Sequence, residues 1–246
     1  MRKVAVVLGL LFIFIHVFVG GALANDELPP SVMVEGVVAY PQERNLSCES
    51  RSATDMAAFW GATFSEGDFF HRLPRSDNPH RGFLGDVDMP AGSMPPVGYG
   101  VYARPLAATL RSLGFDAQAH HAWRLDVLKA ELASGRPVVI WATYGMQLPG
   151  RETWVSSDGE TSVIVRWQHT FIAAGYDEGG IYLIDAYDAE TKYFTYDAFM
   201  PAWDQLGRMA VTVRGSLVPG RFTPTSSGDG AAVQLLVDGR WVVGPN

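Results

Sequence analysis

The chain has 246 residues, 48% of them hydrophobic and 18% charged, enough for one fair-sized globular domain with a core. A formal charge of −7 at pH 7, with no run of Lys or Arg, argues against nucleic acid or anionic lipid as a main partner. The single cysteine, Cys48, excludes an intramolecular disulfide.

The first 24 residues read as a signal peptide. Arg2 and Lys3 are followed by an apolar run and by small residues ending at Ala24. The expectation is export, to the extracellular space or the cell surface, with cleavage between Ala24 and Asn25. The apolar run is nearly long enough to span a bilayer, so an uncleaved anchor is the alternative, and only then is a membrane a partner.

Residues 25–40 form an extended lead broken by Pro29-Pro30, with a strand expected over 37–40. A helix then starts at Cys48 and runs to about residue 61, with Ala53, Met56, Ala57 and Trp60 on one face and Gly61 as its cap. Glu49 and Arg51 read as a solvated first turn of that helix. A short second helix follows, started by Ser65 and stopped by Pro74. Residues 75–100 are rich in Pro, Gly and Asp, and read as a surface wrap lining a cleft. A third helix places Leu106, Leu110 and Leu113 on one face and ends at Gly114, and a fourth, over 123–135, buries Leu125, Leu128 and Leu132.

The pattern then changes to strands. PVVIWATYG is short and apolar enough for a buried strand. Asp158-Gly159 marks one hairpin, residues 177–180 turn a second, and Asp238-Gly239 marks a third. Between the last two lie a strand with a short helix over 192–203 and a strand over 209–215, and a linker rich in Pro, Ser and Gly spans 219–230. Helices first and antiparallel strands later make an α+β fold with segregated layers.

Of six histidines, His16 belongs to the signal segment, and His71, His80, His120 and His121 make no recognisable metal spacing. His169 opens the strand HTFIAAGYD, and Asp185 ends the strand IYLIDAYD 16 residues later. A tight turn between those strands sets the start of one beside the end of the other, within hydrogen-bond reach. Asp86 and Asp88 read as loop carboxylates, and Trp141, Tyr144 and Trp167 as core or strand-face aromatics. Trp167 is the one candidate for substrate contact, being two residues before His169. Cys48 alone reads either as a small buried hydrophobe or as a reactive thiol at a helix N-terminus, where free N–H groups favour the thiolate.

The segments LSCES with Gln42 ahead of it, NPHRGFLG, GYGVYARPLAATL, ELASGRPVVIW, WQHTFIAAGYD, IYLIDAYD and YDAFMPAWDQLGRMAV occur in an order that resembles papain-like cysteine peptidases. Among these the likeness is to the bacteriocin-leader-processing (double-glycine) peptidases and their stand-alone, exported relatives. It spans roughly residues 40–213. The resemblance implies a papain-like fold, with N-terminal helices packed on a C-terminal antiparallel sheet. It also implies Cys48 as nucleophile, Gln42 as oxyanion donor, His169 as general base and Asp185 as its orienting partner, with no cofactor or metal. The chain carries no P-loop, unlike the transporter-linked members. The expected organisation is a signal peptide over 1–24, a peptidase domain over 25–215, and a linker with a hairpin over 216–246. The expected partner is a peptide or protein substrate. A cell-wall (peptidoglycan) amidase or endopeptidase, or a non-catalytic peptide-binding module on the same fold, are the alternatives.

Overall fold

A computed structural model describes residues 27–62, 64–216, 234–237 and 240–243. The signal segment, the linker over 219–230 and the Asp238-Gly239 turn lie outside the described residues. In chain order the N-terminal elements are strand β1 (Val32–Met33), helix α1 (Cys48–Phe59), helix α2 (Glu66–Arg72), strands β2 (Leu84–Gly85) and β3 (Gly98–Gly100), and helix α3 (Ala103–Ser112). Then come β4 (Phe115–His120), α4 (Leu125–Ala133), β5 (Val138–Thr143), β6 (Glu152–Val155), β7 (Thr161–Ile164), β8 (Gln168–Tyr176) and β9 (Gly180–Asp185). The last are β10 (Thr191–Thr195), α5 (Tyr196–Gln205), β11 (Ala210–Ser216) and the hairpin strands β12 (Gln234–Val237) and β13 (Arg240–Val243).

The frame is an antiparallel sheet of seven strands in the order β10-β9-β8-β5-β11-β4, with β1 pairing to the far end of β8. Alternate residues of its strands enter different cores. Trp141, Ile172, Ala174 and Val211 pack with α1 and α3, whereas Ile140, Phe171, Ala173 and Ala210 pack with α4 and α5. A strand covered on both faces has no solvent side, which is why all six residues of β5 are buried and its sequence reads as a continuous apolar run. The expected helices-on-sheet arrangement is therefore present, with α4 and α5 added on the second face. No helix among the described residues is long and apolar enough to cross a membrane.

Helix α1 is the central piece. Ala53, Met56 and Ala57 are fully buried as their spacing predicts, and Gly61 closes the helix at φ +85°. The polar side is buried too. Glu49, Arg51 and Asp55 are at most 6% exposed, which overturns the expectation of a solvated first turn. Arg51 Nη2 meets Asp55 Oδ1 at 2.5 Å and Nη1 lies 3.6 Å from Glu66 Oε2 on α2, so its charge is matched inside the protein. Truncating Met56 to Ala in such packing costs about 2–5 kcal/mol.

Other sequence expectations are met or displaced for local reasons. Ser65 and Asp68 form a reciprocal capping box on α2. Residues 37–40 form no strand, because the Tyr40 N–H goes to the Asp55 carboxylate (3.2 Å) rather than to a neighbouring strand. The segment 75–100 is only partly a surface wrap, since Phe83, Leu84, Val87 and Tyr99 are core residues. Strand β4 has just two fully buried apolar residues, Phe115 and Ala117, a pattern too short to stand out in the sequence.

Candidate active site

The site lies where β8 starts and α1 starts, in a pocket of about 170 Å³. Its lining includes Gln42, Asn45, Leu46 and Cys48 from the approach to α1, Gln168 and His169 at the start of β8, and Tyr144 and Tyr187. Ala91, Gly92 and Trp167 also line it, so the long loop does reach this pocket.

Three tethers fix the loop of residues 41–47 that leads into Cys48. The Gln42 N–H donates to Ala186 O (2.8 Å), just past Asp185. The Glu43 N–H donates to the buried Glu66 carboxylate (3.0 Å), and the Leu46 N–H to Val87 O (2.9 Å). Arg44 and Asp88 form a two-point ion pair, with Nε to Oδ1 at 2.8 Å, so Asp88 serves as a loop clamp.

His169 and Asp185 meet as their spacing predicts. In the β8–β9 pairing Asp185 stands opposite Phe171, which puts its carboxylate on the same face as the ring two residues earlier. His169 Nε2 lies 2.6 Å from Asp185 Oδ1, leaving Nδ1 as the ring nitrogen not held by Asp185. Phe171 and Tyr144 pack edge-on against the ring, at 4.8 and 5.6 Å between centroids. Asp185 Oδ2 accepts from Lys192 Nζ at 2.7 Å, and Oδ1 also accepts the Tyr187 N–H at 2.9 Å. Burial works to raise this carboxyl, but the His169 ring, Lys192 and the N–H outweigh it and bring it down to about 2. Lys192 in turn is raised, its burial more than offset by Asp185 and Asp188. Its position on β10, next in the sheet to β9, carries no motif that marks it in the sequence.

Cys48 differs from expectation. Its thiol is 4% exposed and faces Glu49 Oε2 at 3.4 Å and Thr170, rather than forming a hydrogen bond with His169. Burial first, and the Glu49 charge second, push the thiol well above its ordinary value, so the helix N-terminus does not prevail. Gln42 lines the pocket, but its amide nitrogen already donates to Arg44 O (2.7 Å) and Asn45 O (2.9 Å), while Oε1 is buried without a partner. Trp167 adopts φ +62°, a left-handed conformation that a bulky residue rarely takes, and lies against Gly92 so closely that a Cβ there would come within 2.7 Å of the ring. Of the other aromatics singled out, Tyr144 is on the pocket wall while Trp141 is wholly core, its indole N–H bonded to Val101 O.

Among the described residues no group of three or more His, Cys, Asp or Glu is arranged to hold a metal. His120 bonds Thr212 Oγ1 at 2.9 Å, and His80 and His121 line a separate cavity of about 390 Å³.

The peptidase C39-like family model matches residues 34–211. An uncharacterized protein of Bacillus subtilis (strain 168), YvpB, is 28% identical over 139 residues, covering 56% of this chain and 53% of that protein. The chain thus spans about half the length of the curated relative it matches. A Bacillus anthracis protein assigned to the C39-like peptidases superposes with a TM-score of 0.67 at 22% identity, over 76% of this chain and 98% of that one. That likeness is one of fold.

Proposed function

The chain belongs to the peptidase C39-like family, a family of cysteine peptidases, and from that premise we propose that Cys48, His169 and Asp185 hydrolyse peptide bonds in substrates outside the cytoplasm. The observation that carries this reading is the 2.6 Å contact between His169 and Asp185 in the wall of the pocket that also contains Cys48. Asp185 holds the ring by Nε2, so Nδ1 is the nitrogen that takes the thiol proton.

The sulfur then attacks the amide carbonyl carbon, and the C=O electrons move onto oxygen. The Cys48 backbone N–H and the Gln42 amide stabilise that oxyanion, Gln42 by exchanging one of its two carbonyl contacts. Collapse breaks the C–N bond, His169 protonates the leaving amine, and water hydrolyses the thioester with the same ring as base. Trp167, Tyr144 and Tyr187 form an aromatic rim for substrate side chains. The apolar N-terminal segment supports export, and N-terminal sequencing of the secreted protein tests it, since a retained Met1 rules cleavage out.

The test is incubation with a diverse peptide mixture, with cleavage sites read by mass spectrometry. Cys48→Ala abolishes turnover, and Gln42→Ala leaves activity down by on the order of a hundredfold or more. Full activity in Cys48→Ala refutes the reading. The turning of the thiol toward Glu49 and Thr170 favours a second reading, a peptide-binding module. That reading gives peptide retention without cleavage in the same mixture.

A further inference from the structure

Glu49 is a buried carboxylate whose place the catalytic reading does not use. It is 1% exposed, on the first turn of α1. Oε1 accepts the Val101 N–H at 2.9 Å and the Gln168 amide at 2.8 Å, and Oε2 lies 3.4 Å from Cys48 Sγ. The cradle is shaped for it. Gly100 has φ +138°, and a Cβ there would overlap both Glu49 Oε1 and Gln168 Nε2. Gln168, which also donates to Tyr99 O at 3.0 Å, precedes His169 on β8, so one side chain ties the carboxylate to the strand that carries the base.

The groups touching this carboxylate are the Cys48 thiol from α1, the Val101 N–H just past β3 and the Gln168 amide from β8, and its charge also acts on Tyr99 and Tyr102, whose hydroxyls bond each other. His169 opens on the same pocket as the thiol. Arg51, two residues along the helix, is occupied by Asp55 and Glu66, and among the described residues Glu49 has no ion-pair partner. A buried carboxylate without a counter-charge repels a second negative charge placed 3.4 Å away.

We propose that Glu49 is a positioning residue that accepts the Cys48 thiol proton's hydrogen bond in the resting enzyme and holds the sulfur protonated, so that the thiolate forms only when the side chain leaves Glu49 for His169. This rests on the catalytic assignment above and deepens it. In the resting state the S–H points at Oε2, and on leaving it the proton passes from sulfur to the ring nitrogen that Asp185 does not hold, with no bond to carbon made or broken. Thr170, which also hydrogen-bonds the sulfur, works in the opposite sense and lowers its proton affinity.

Alkylation of Cys48 by iodoacetamide reads the thiolate directly and needs no substrate, because this is the only thiol in the chain. Its rate is measured against pH for the whole protein and its variants. The wild-type midpoint lies above the free-thiol value of about 8.5. Glu49→Gln moves it down by about one pH unit, making alkylation near neutral pH roughly tenfold faster. Glu49→Asp, which keeps the charge but draws it back by one methylene, moves it down by less. Thr170→Val moves it up. A merely structural role would shift Glu49→Gln and Thr170→Val in one direction or not at all, and either result overturns the proposal. So does a wild-type midpoint at or below the free-thiol value, which decides the matter even if no Glu49 variant folds. Cleavage by Cys48→Ala would sink the catalytic reading instead, a result that these profiles cannot mimic.

Discussion

Two buried carboxylates flank the pocket, and their surroundings drive them opposite ways. Asp185 at the end of β9 is 1% exposed and Glu49 at the start of α1 is 1% exposed, so desolvation presses on both. Asp185 touches the His169 ring, the Lys192 ammonium and a backbone N–H, and falls to about 2. Glu49 has only neutral donors and a thiol, and burial keeps it above its ordinary value. Burial sets the cost of a charge, and a cation close by offsets that cost. On the proposed mechanism one carboxylate therefore steadies an imidazole that becomes positive, while the other discourages a sulfur from becoming negative.

The largest effect that bears on this contrast is on turnover. His169→Ala removes the base and lowers kcat/KM by on the order of a thousandfold or more on any cleaved peptide. Asp185→Asn is milder, because an amide still holds the ring. Equal losses from the two variants would break the orienting role.

Next in size is a stability effect at the Asp185 end. Lys192→Met leaves Asp185 with the His169 ring and the Tyr187 N–H alone and costs about 2 kcal/mol at neutral pH by denaturant melts. The sign against pH follows from the folded carboxyl lying below its ordinary value of 3.8. Its contribution is fully present above that value and is lost as pH falls toward about 2. The gap between wild type and Lys192→Met therefore closes over that acid window, and a gap constant down to pH 2 would contradict it.

The smallest effect is at the Glu49 end and runs the other way. Its folded carboxyl is raised, so its charge costs stability above that folded value, and the cost fades as pH falls through it. Glu49→Gln should gain in melting temperature relative to wild type at neutral pH and lose that advantage in acid. A gain that grows on acidification would erase the difference between the two carboxylates.

The sequence showed a good part of this because much of the plan is local. The β8–β9 connection, three residues long, fixes which ends of its strands meet, so the His169–Asp185 contact follows from a spacing of 16. Helix α1, its Gly61 end and the Ser65 capping box follow from residues within one or two turns of each other. Glu49 and Arg51 were misread because a charged pair next to a cysteine has the appearance of a wet helix end. Nothing within ten residues announces that Val101, Gln168 and Glu66 will close over it.

What the chain alone determined, then, is the order of its elements, the face of each helix that turns inward, the family, and the identity of the side chains brought to the head of the sheet. The assembled fold decided their charge states and contacts. It set the ammonium of Lys192 behind Asp185, gave Glu49 no cation, tied the Gln42 amide to two carbonyls and turned the Cys48 sulfur inward. The physical reason is that proton affinity depends on what surrounds a group within a few ångströms, and in a folded protein those neighbours come from segments far apart in the chain.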